Sequence, residues 1–247
     1  LSSIEYSYQD HFTLEDEVIT ADPISTYQVK GGMMYDINSD VSVFFNTGMV
    51  EKAPIMDNVI YFDGTVASDP ANEKFLHNEF GVNYRFGKLG LNASAYNTDW
   101  QDRNLTKSVT TGQGDSGDTD VIFLTGVNQK HSGVELETNY MVNDMLDLMF
   151  VASFGNWKFD GDANGNYQET EYNSEGQAVG YKTTEYAYAL DGLYVGDMPQ
   201  TSYVLGVTLK PIKDLRIQAI HKMYDKNYSD WSPSAREFDG TNDDADR

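Results

Sequence analysis

The chain has 247 residues, with 39 Asp and Glu against 17 Lys and Arg, a formal net charge of −22 at pH 7, and no cysteine. This charge balance excludes a general phosphate-neutralising surface and so argues against nucleic acid as a partner, while the lack of cysteine removes disulfide frameworks, thiol nucleophiles and cysteine metal sites. No run of about 18 apolar residues exists, which rules out a transmembrane helix; a mean hydropathy of −0.52 still suits a membrane barrel, where only alternate residues meet lipid.

In chain order, residues 4–8 alternate apolar and polar and lead into an acidic connection with Glu15, Asp16, Glu17 and Asp22. Over 26–37, Tyr27, Val29, Met33, Tyr35 and Ile37 share one face, opposite Gln28, Lys30, Gly32 and Asp36. That period of two marks a strand with one apolar side. Asn38, Ser39 and Asp40 turn the chain into a strand with Val41, Val43, Phe45 and Met49 opposite Ser42, Asn46 and Gly48. Residues 52–74, with Asp57, Asp63, Gly64 and Asp69-Pro70, read as a loop by composition. The next hairpin sets Phe80, Val82, Tyr84 and Phe86 against Glu79, Gly81, Asn83 and Arg85. It turns at Gly87 and Lys88 and returns with Leu89, Leu91, Ala93 and Ala95.

After an Asp- and Gly-rich stretch over 110–120, Val134, Leu136, Tyr140 and Val142 oppose Glu135, Glu137 and Asn139. Asn143 and Asp144 turn, and Leu146, Leu148, Phe150, Ala152 and Phe154 return. Residues 160–197 form the longest predicted loop. The last pair carries Tyr203, Leu205, Val207 and Leu209, a turn over 211–214, and then Leu215, Ile217, Ala219 and Met223. The sum is about nine strands and no segment of helical period.

The turns near 38, 88, 144 and 212 are tight and the connections between them long, so the two ends of the sheet differ. The predicted fold class is all-β: an antiparallel transmembrane β-barrel with short periplasmic turns and long extracellular loops. Phe80, Val82 and Tyr84 then face lipid, and Glu79, Asn83, Arg85, Glu135 and Glu137 face a hydrated lumen, because carboxylates are costly against lipid or in a dry core. A soluble β-sandwich of stacked hairpins is the competing architecture. The chain starts at Leu1 without an initiator Met or signal-peptide core and stops at 243–247 without a closing strand, so it is expected to be an internal fragment.

Three segments together resemble the C-terminal half of TonB-dependent outer-membrane receptors. Asp69-Pro70 precedes Glu79-Phe80-Gly81 and a strand pair ending NASAYNTDWQDR, residues 92–103. The family pattern there is Asn-Pro-Leu-Lys-Pro-Glu before a Glu-x-Gly strand; here Asp69 stands for the Asn, and the Lys-Pro-Glu element is absent. Gly126-Val127-Asn128 leads to Ser132-Gly133-Val134-Glu135-Leu136-Glu137, similar to the family's Gly-x-Glu strand, and Met198-Pro199 precedes the Tyr203 strand. The resemblance runs over residues 25–231. It implies that residues 1–247 are part of a barrel of about 22 strands, lacking plug and closing strands, in the outer membrane of a Gram-negative bacterium. It also implies three kinds of partner: outer-membrane lipid, the TonB complex acting through the plug, and a small-molecule nutrient.

Residues 160–171 fit the calcium-loop pattern, with Asp160, Asp162 and Asn164 as the first three oxygen donors, the Asn166 carbonyl next and Glu171 as the bidentate ligand. Ca2+ is the one cofactor this pattern suggests. The preceding strand removes the helix-loop-helix setting, and an acidic, turn-rich loop without metal is the competing reading. His11, His77, His131 and His221 form no close pair at metal-ligand spacing. No nucleophile elbow, marked carboxylate pair or phosphate-binding glycine loop is present, so the chain is expected not to be an enzyme. Tyr35, Tyr84, Tyr96, Trp100, Tyr140, Trp157, Tyr224 and Trp231 are expected in interfacial girdles or packing; those on loops would instead stack on a sugar or aromatic siderophore.

The function expected from this resemblance is an outer-membrane receptor and active transporter. It would take up a scarce nutrient, a ferric siderophore ahead of an oligosaccharide, vitamin or peptide, by loop binding and energised plug movement. The sequence assigns no substrate-binding residues. A passive porin-like channel and a soluble carbohydrate-binding β-sandwich are the alternatives. An open sheet with two free edges and a lipid face is expected to aggregate in water.

Overall fold

A computed structural model describes residues 2–9, 18–61, 64–68, 70–111 and 118–238. His11, Glu15, Asp16, Glu17, Asp63 and Asp69 lie outside them. The predicted alternation becomes thirteen strands among the described residues: β1 (Ser2–Gln9), β2 (Val18–Thr26), β3 (Gln28–Asp36), β4 (Val41–Lys52), β5 (Glu73–Phe86), β6 (Leu89–Thr111), β7 (Asp118–Asn143), β8 (Leu146–Phe159), β9 (Ala163–Tyr172), β10 (Ala178–Tyr188), β11 (Pro199–Ile212), β12 (Leu215–Asn227) and β13 (Glu237–Phe238). Strand accounts for 76% of the structure, and no α-helix occurs among the described residues. The main sheet runs β12-β11-β8-β7-β6-β5-β4-β3 with every pair antiparallel. It is an open part of a transmembrane barrel wall.

Register sorts the side chains into two faces. On the outer one, Met33, Phe45, Phe80, Ala95, Val134 and Phe154 lie in one row across six strands. Tyr35, Val43, Val82, Ala93, Leu136, Ala152, Tyr203 and Met223 form the next. Half of these are large apolar side chains left open to the surroundings, with Met33 71% and Phe80 58% exposed. That is the reverse of a water-soluble sheet. A polar row of Gly31, Thr47, Asn78, Asn97, Ser132 and Asn156 follows, and beyond it the face turns charged on β6 to β8 with Asp99, Lys130 and Lys158, while β3 to β5 carry one more apolar row, Val29, Met49 and Leu76. In β8 the apolar belt runs from Leu146 to Phe154; at about 3.3 Å per residue and a tilt near 40° this is about 23 Å, the height of a barrel's lipid-facing band.

The short ends behave as predicted. Two-residue turns at 87–88, 144–145 and 213–214 join β5 to β6, β7 to β8 and β11 to β12. Gly87 takes φ +55, a left-handed conformation open to glycine without steric cost. Tyr35, Tyr84, Phe86 and Tyr140 sit on the outer face near this end, where amphipathic rings suit a membrane interface.

The long ends do not behave as loops. Residues 160–197 contain the β9–β10 hairpin, and β9 pairs with the far half of β7 from Val121↔Gln168 to Thr125↔Asn164. β6 and β7 themselves continue to Thr111 and from Asp118, which reduces the 110–120 connection to a few residues. The sequence concealed these strands because Gly, Asn, Gln and Glu dominate 164–171, so backbone pairing rather than apolar alternation forms them. Beyond the belt the strands enclose a dry cluster of Ile122, Leu124, Val127, Phe159, Ala163, Tyr188 and Leu190. A second cluster, Tyr6, Ala53, Val59 and Ile60, packs the 53–61 segment against β1 and β2. Each fully buried Leu or Ile here contributes about 1.5–3 kcal/mol.

Reading the outer face as lipid-facing predicts that Leu136→Arg costs about 2–4 kcal/mol of folding free energy in lipid vesicles. Glu135→Gln, one residue away on the other face, is expected to stay within about 0.5 kcal/mol. Urea titrations of tryptophan fluorescence measure both, and a Leu136→Arg cost no larger than that of Glu135→Gln would remove the lipid-facing assignment of this face.

Candidate functional site

Where the strands rise out of the belt, the inner face carries its largest side chains. Three paired rows cross β5 to β8: Phe75, Trp100 and Gln129; His77, Thr98, His131 and Trp157; and Glu79, Tyr96, Gly133 and Gly155. The two glycines make room for the rings. A Cβ at Gly133 would stand 2.6 Å from Tyr96 Oη, and one at Gly155 would stand 2.8 Å from Trp157 Nε1. Without them, Tyr96 and Trp157 lie close against the sheet, and Trp157 Nε1 donates to Tyr96 Oη at 2.9 Å.

The rings form a continuous wall. Phe75 and Trp100 have centroids 4.5 Å apart, Trp100 and His131 6.3 Å, and His131 and Trp157 5.5 Å. His77 joins from the side, 6.4 Å from Tyr96, with Nδ1 2.8 Å from Thr98 Oγ1. Above the wall, the Glu73 carboxylate is fully buried and supplied with donors: Lys52 Nζ at 2.8 Å and the Asn104 amide at 3.4 Å reach Oε1, and Trp100 Nε1 reaches Oε2 at 3.1 Å. Such pairing offsets the cost of burying its charge.

Arg103 reaches this face through a break in register. Between Trp100 and Arg103 the β6–β7 ladder shifts by one residue, and it shifts again between Arg103 and Leu105. At the first break Asp102 adopts φ +55, its amide donates to Asn128 Oδ1 at 3.0 Å, and its carboxylate pairs with Lys74 at 3.1 Å. A bulge of this kind re-aims the following side chain. The guanidinium carbon stands 4.1 Å from the Trp100 centroid, and Nη1 donates to Gln129 Oε1 at 3.2 Å. His131 Nε2 lies 3.0 Å from the same oxygen, which places its proton on Nε2. Burial, and then the positive charge of Arg103, hold the His131 imidazole below its ordinary pKa, so it is neutral at pH 7.

The structure scatters the five residues of the calcium pattern. β9 is extended from Ala163, so Asn164 and Asn166 advance along a strand instead of curling round a centre. Asp160 pairs with Lys130 at 2.7 Å, and Asp162 Oδ1 accepts from the Leu190 and Asp191 amides at 3.0 Å each. Asn166 Nδ2 donates to Tyr61 Oη at 3.0 Å, and Glu171 lies opposite Gly180. Among the described residues no group of three His, Asp or Glu converges to hold a metal ion. Of the predicted girdle aromatics, Tyr96, Trp100 and Trp157 belong to the inner wall. Tyr224 stands opposite Ser202 on the inner face of β12, and Trp231 packs on Tyr188 with centroids 5.7 Å apart. Sequence reasoning missed Glu73, Arg103 and Gln129 as site residues. The available signal was that unbroken alternation puts Arg103 on the outer face with Ala95.

Fold and site together define an outer-membrane-type β-barrel wall with an aromatic, guanidinium-bearing inner surface beneath folded long loops. The chain belongs to the TonB-dependent receptor-like β-barrel family, whose model matches residues 6–245. That family resides in the outer membrane of Gram-negative bacteria. Among solved structures the chain is similar to one described as copper transporter OprC, at 16% identity and a TM-score of 0.43, covering 83% of this chain and 34% of that one. The chain therefore spans about a third of the transporter's length. No curated protein matches it.

Two outcomes follow from the wall. Gly133→Ala is expected to cost about 1–3 kcal/mol and to alter the near-UV circular dichroism of the displaced rings, whereas Gly31→Ala, with open space around its Cβ, should leave both unchanged. His131 makes stability depend on pH. Its folded pKa is depressed, so below about pH 6.5 the unfolded chain binds more protons, and stability declines as pH falls until folded His131 also titrates. Replacement by Gln should therefore flatten the fall in urea midpoint between about pH 7.5 and 5. An unchanged slope would remove His131 as its source.

Proposed function

We propose that this chain is part of an outer-membrane receptor and active transporter of a Gram-negative bacterium. It takes up a scarce small-molecule nutrient, with a ferric siderophore as the leading substrate. The observation that carries this reading is the ring wall from Phe75 to Trp157, with Arg103 beside it, on the inner face just above the lipid belt. A ligand entering past the long loops meets this surface first. Ring faces and edges give contact area at low entropic cost, and the guanidinium adds affinity for anionic oxygens of the kind a siderophore carries. Energy enters through TonB, a partner general to this family, acting on a plug domain. The work is binding and conformational gating, without bond chemistry.

The test is uptake of radio-iron by cells that carry the whole protein, supplied with a panel of ferric siderophores. Expected is saturable uptake of at least one of them, abolished by loss of TonB or by a protonophore. Trp157→Ala should weaken half-saturation about tenfold, in line with removing one stacked aromatic contact. Uptake that persists without TonB would convert the reading to a passive channel. Failure across the panel, with TonB-dependent uptake of a vitamin or oligosaccharide, would overturn the siderophore assignment.

A further inference from the structure

Arg103, half-buried above the belt, differs from the buried Glu73 in that its charge meets no opposite charge among the described residues. Glu73, the nearest strong candidate, has its oxygens taken up by Lys52, Trp100 and Asn104. Asp230 pairs with Lys107. Both raise the Arg103 pKa only through space, against a larger lowering by burial. Among the described residues the guanidinium makes one hydrogen bond, from Nη1 to Gln129 Oε1. A guanidinium has five N–H donors in a fixed fork, so most of them are unspent.

Gln129 supplies the second observation. Its side chain is 1% exposed, and Nε2 is buried with no hydrogen-bond partner. Flipping the amide does not relieve this, because it would turn Nε2 towards the Arg103 donor that Oε1 now accepts. A buried donor left unpaired is destabilising. The site also maintains a backbone conformation uncommon outside glycine, at Asp102, to bring Arg103 here. Stacking on Trp100 then preorganises the fork.

We propose that Arg103 and Gln129 form a subsite for an anionic oxygen group, a carboxylate above all, on a ligand whose apolar or ring body lies along Trp100 and His131. The guanidinium fork takes two oxygens in parallel, a geometry that matches a carboxylate. The unpaired Gln129 Nε2 donates a further bond once the ligand opens the packing that now covers it, and His131, neutral and oriented by Gln129, borders the ring body without adding charge. In a chain of net charge −22, a guanidinium free of carboxylate partners focuses anions locally. The subsite deepens the transport reading by giving its ligand a charged group, and it is tested by equilibrium binding so that a failure of uptake does not decide it.

The whole protein, folded in detergent micelles, is titrated with benzoate, its neutral isostere benzamide, and inorganic phosphate, with tryptophan fluorescence as the readout. Benzoate should bind saturably and quench. Arg103→Gln should weaken it at least about tenfold, as expected for loss of a charge-assisted pair. Arg103→Lys, which keeps the charge and loses the fork, should fall between, and neither variant should change benzamide binding. Unchanged heat-modifiable migration on gels shows that the variants are folded. Saturable binding of phosphate in place of benzoate would overturn the carboxylate assignment. Equal affinity of wild type and Arg103→Gln for benzoate, or no saturable benzoate binding, would overturn the subsite. A lowered melting temperature of Arg103→Gln together with no benzoate binding would assign the guanidinium to a carboxylate of the protein itself and overturn it as well.

Discussion

The inter-strand hydrogen-bond ladder decides which way every side chain in this molecule points, and the remaining structure depends on its register. Strand side chains alternate with a period of two, so a slip of one residue exchanges the lipid and lumen faces. Across the belt the register between β3 and β12 holds row after row of apolar groups on one side, from Met33 and Phe45 to Val134 and Phe154. Above the belt, β6 and β7 break that register twice. The slip that would ruin the lipid face lower down is used there to carry Arg103 inwards.

Stabilisation is divided by height along the strands. The belt side chains have little protein around them and are satisfied by hydrocarbon, while the buried apolar residues lie above, in the clusters around Leu124 and Ile60. Polar bonds tie these upper parts to the wall. Asn58 donates to Asn104 Oδ1 and to the Leu124 carbonyl at 3.0 Å each, and the Asn104 amide reaches Glu73, which accepts from Trp100. Asn166 on β9 reaches Tyr61 in the same segment. The long connections are thereby anchored to the ring wall, so a ligand would meet a surface positioned by packing and not by chance loop conformations.

Much of the barrel wall was legible in the sequence, because its signal is local. The apolar positions of 80–86, 89–95, 134–140, 146–154 and 203–209 fall on the face predicted for them, and the tight turns fall where Gly87, Asn143 and the 211–214 stretch signalled them. The region above the belt was far less legible. There β9 and β10 form from polar residues with no apolar period, and their pairing depends on β7, about forty residues away in the chain. The calcium pattern in 160–171 is a case where composition imitated a loop that backbone pairing straightens into a strand. Tyr96 and Trp157 were legible as aromatics near strand ends, but their contact required knowing that Gly133 lies beside Tyr96 across the β6–β7 pair.

The sequence by itself determined the two faces of the wall, the inequality of its ends and the family to which it belongs, since residue alternation and turn chemistry are properties of neighbours. Only the tertiary structure decided that the long connections are folded, that the calcium-pattern residues are spread apart and that Arg103 faces inwards against Trp100 and Gln129. Those outcomes rest on contacts between distant segments and on one inserted residue at Asp102, and neither leaves a periodic trace along the chain.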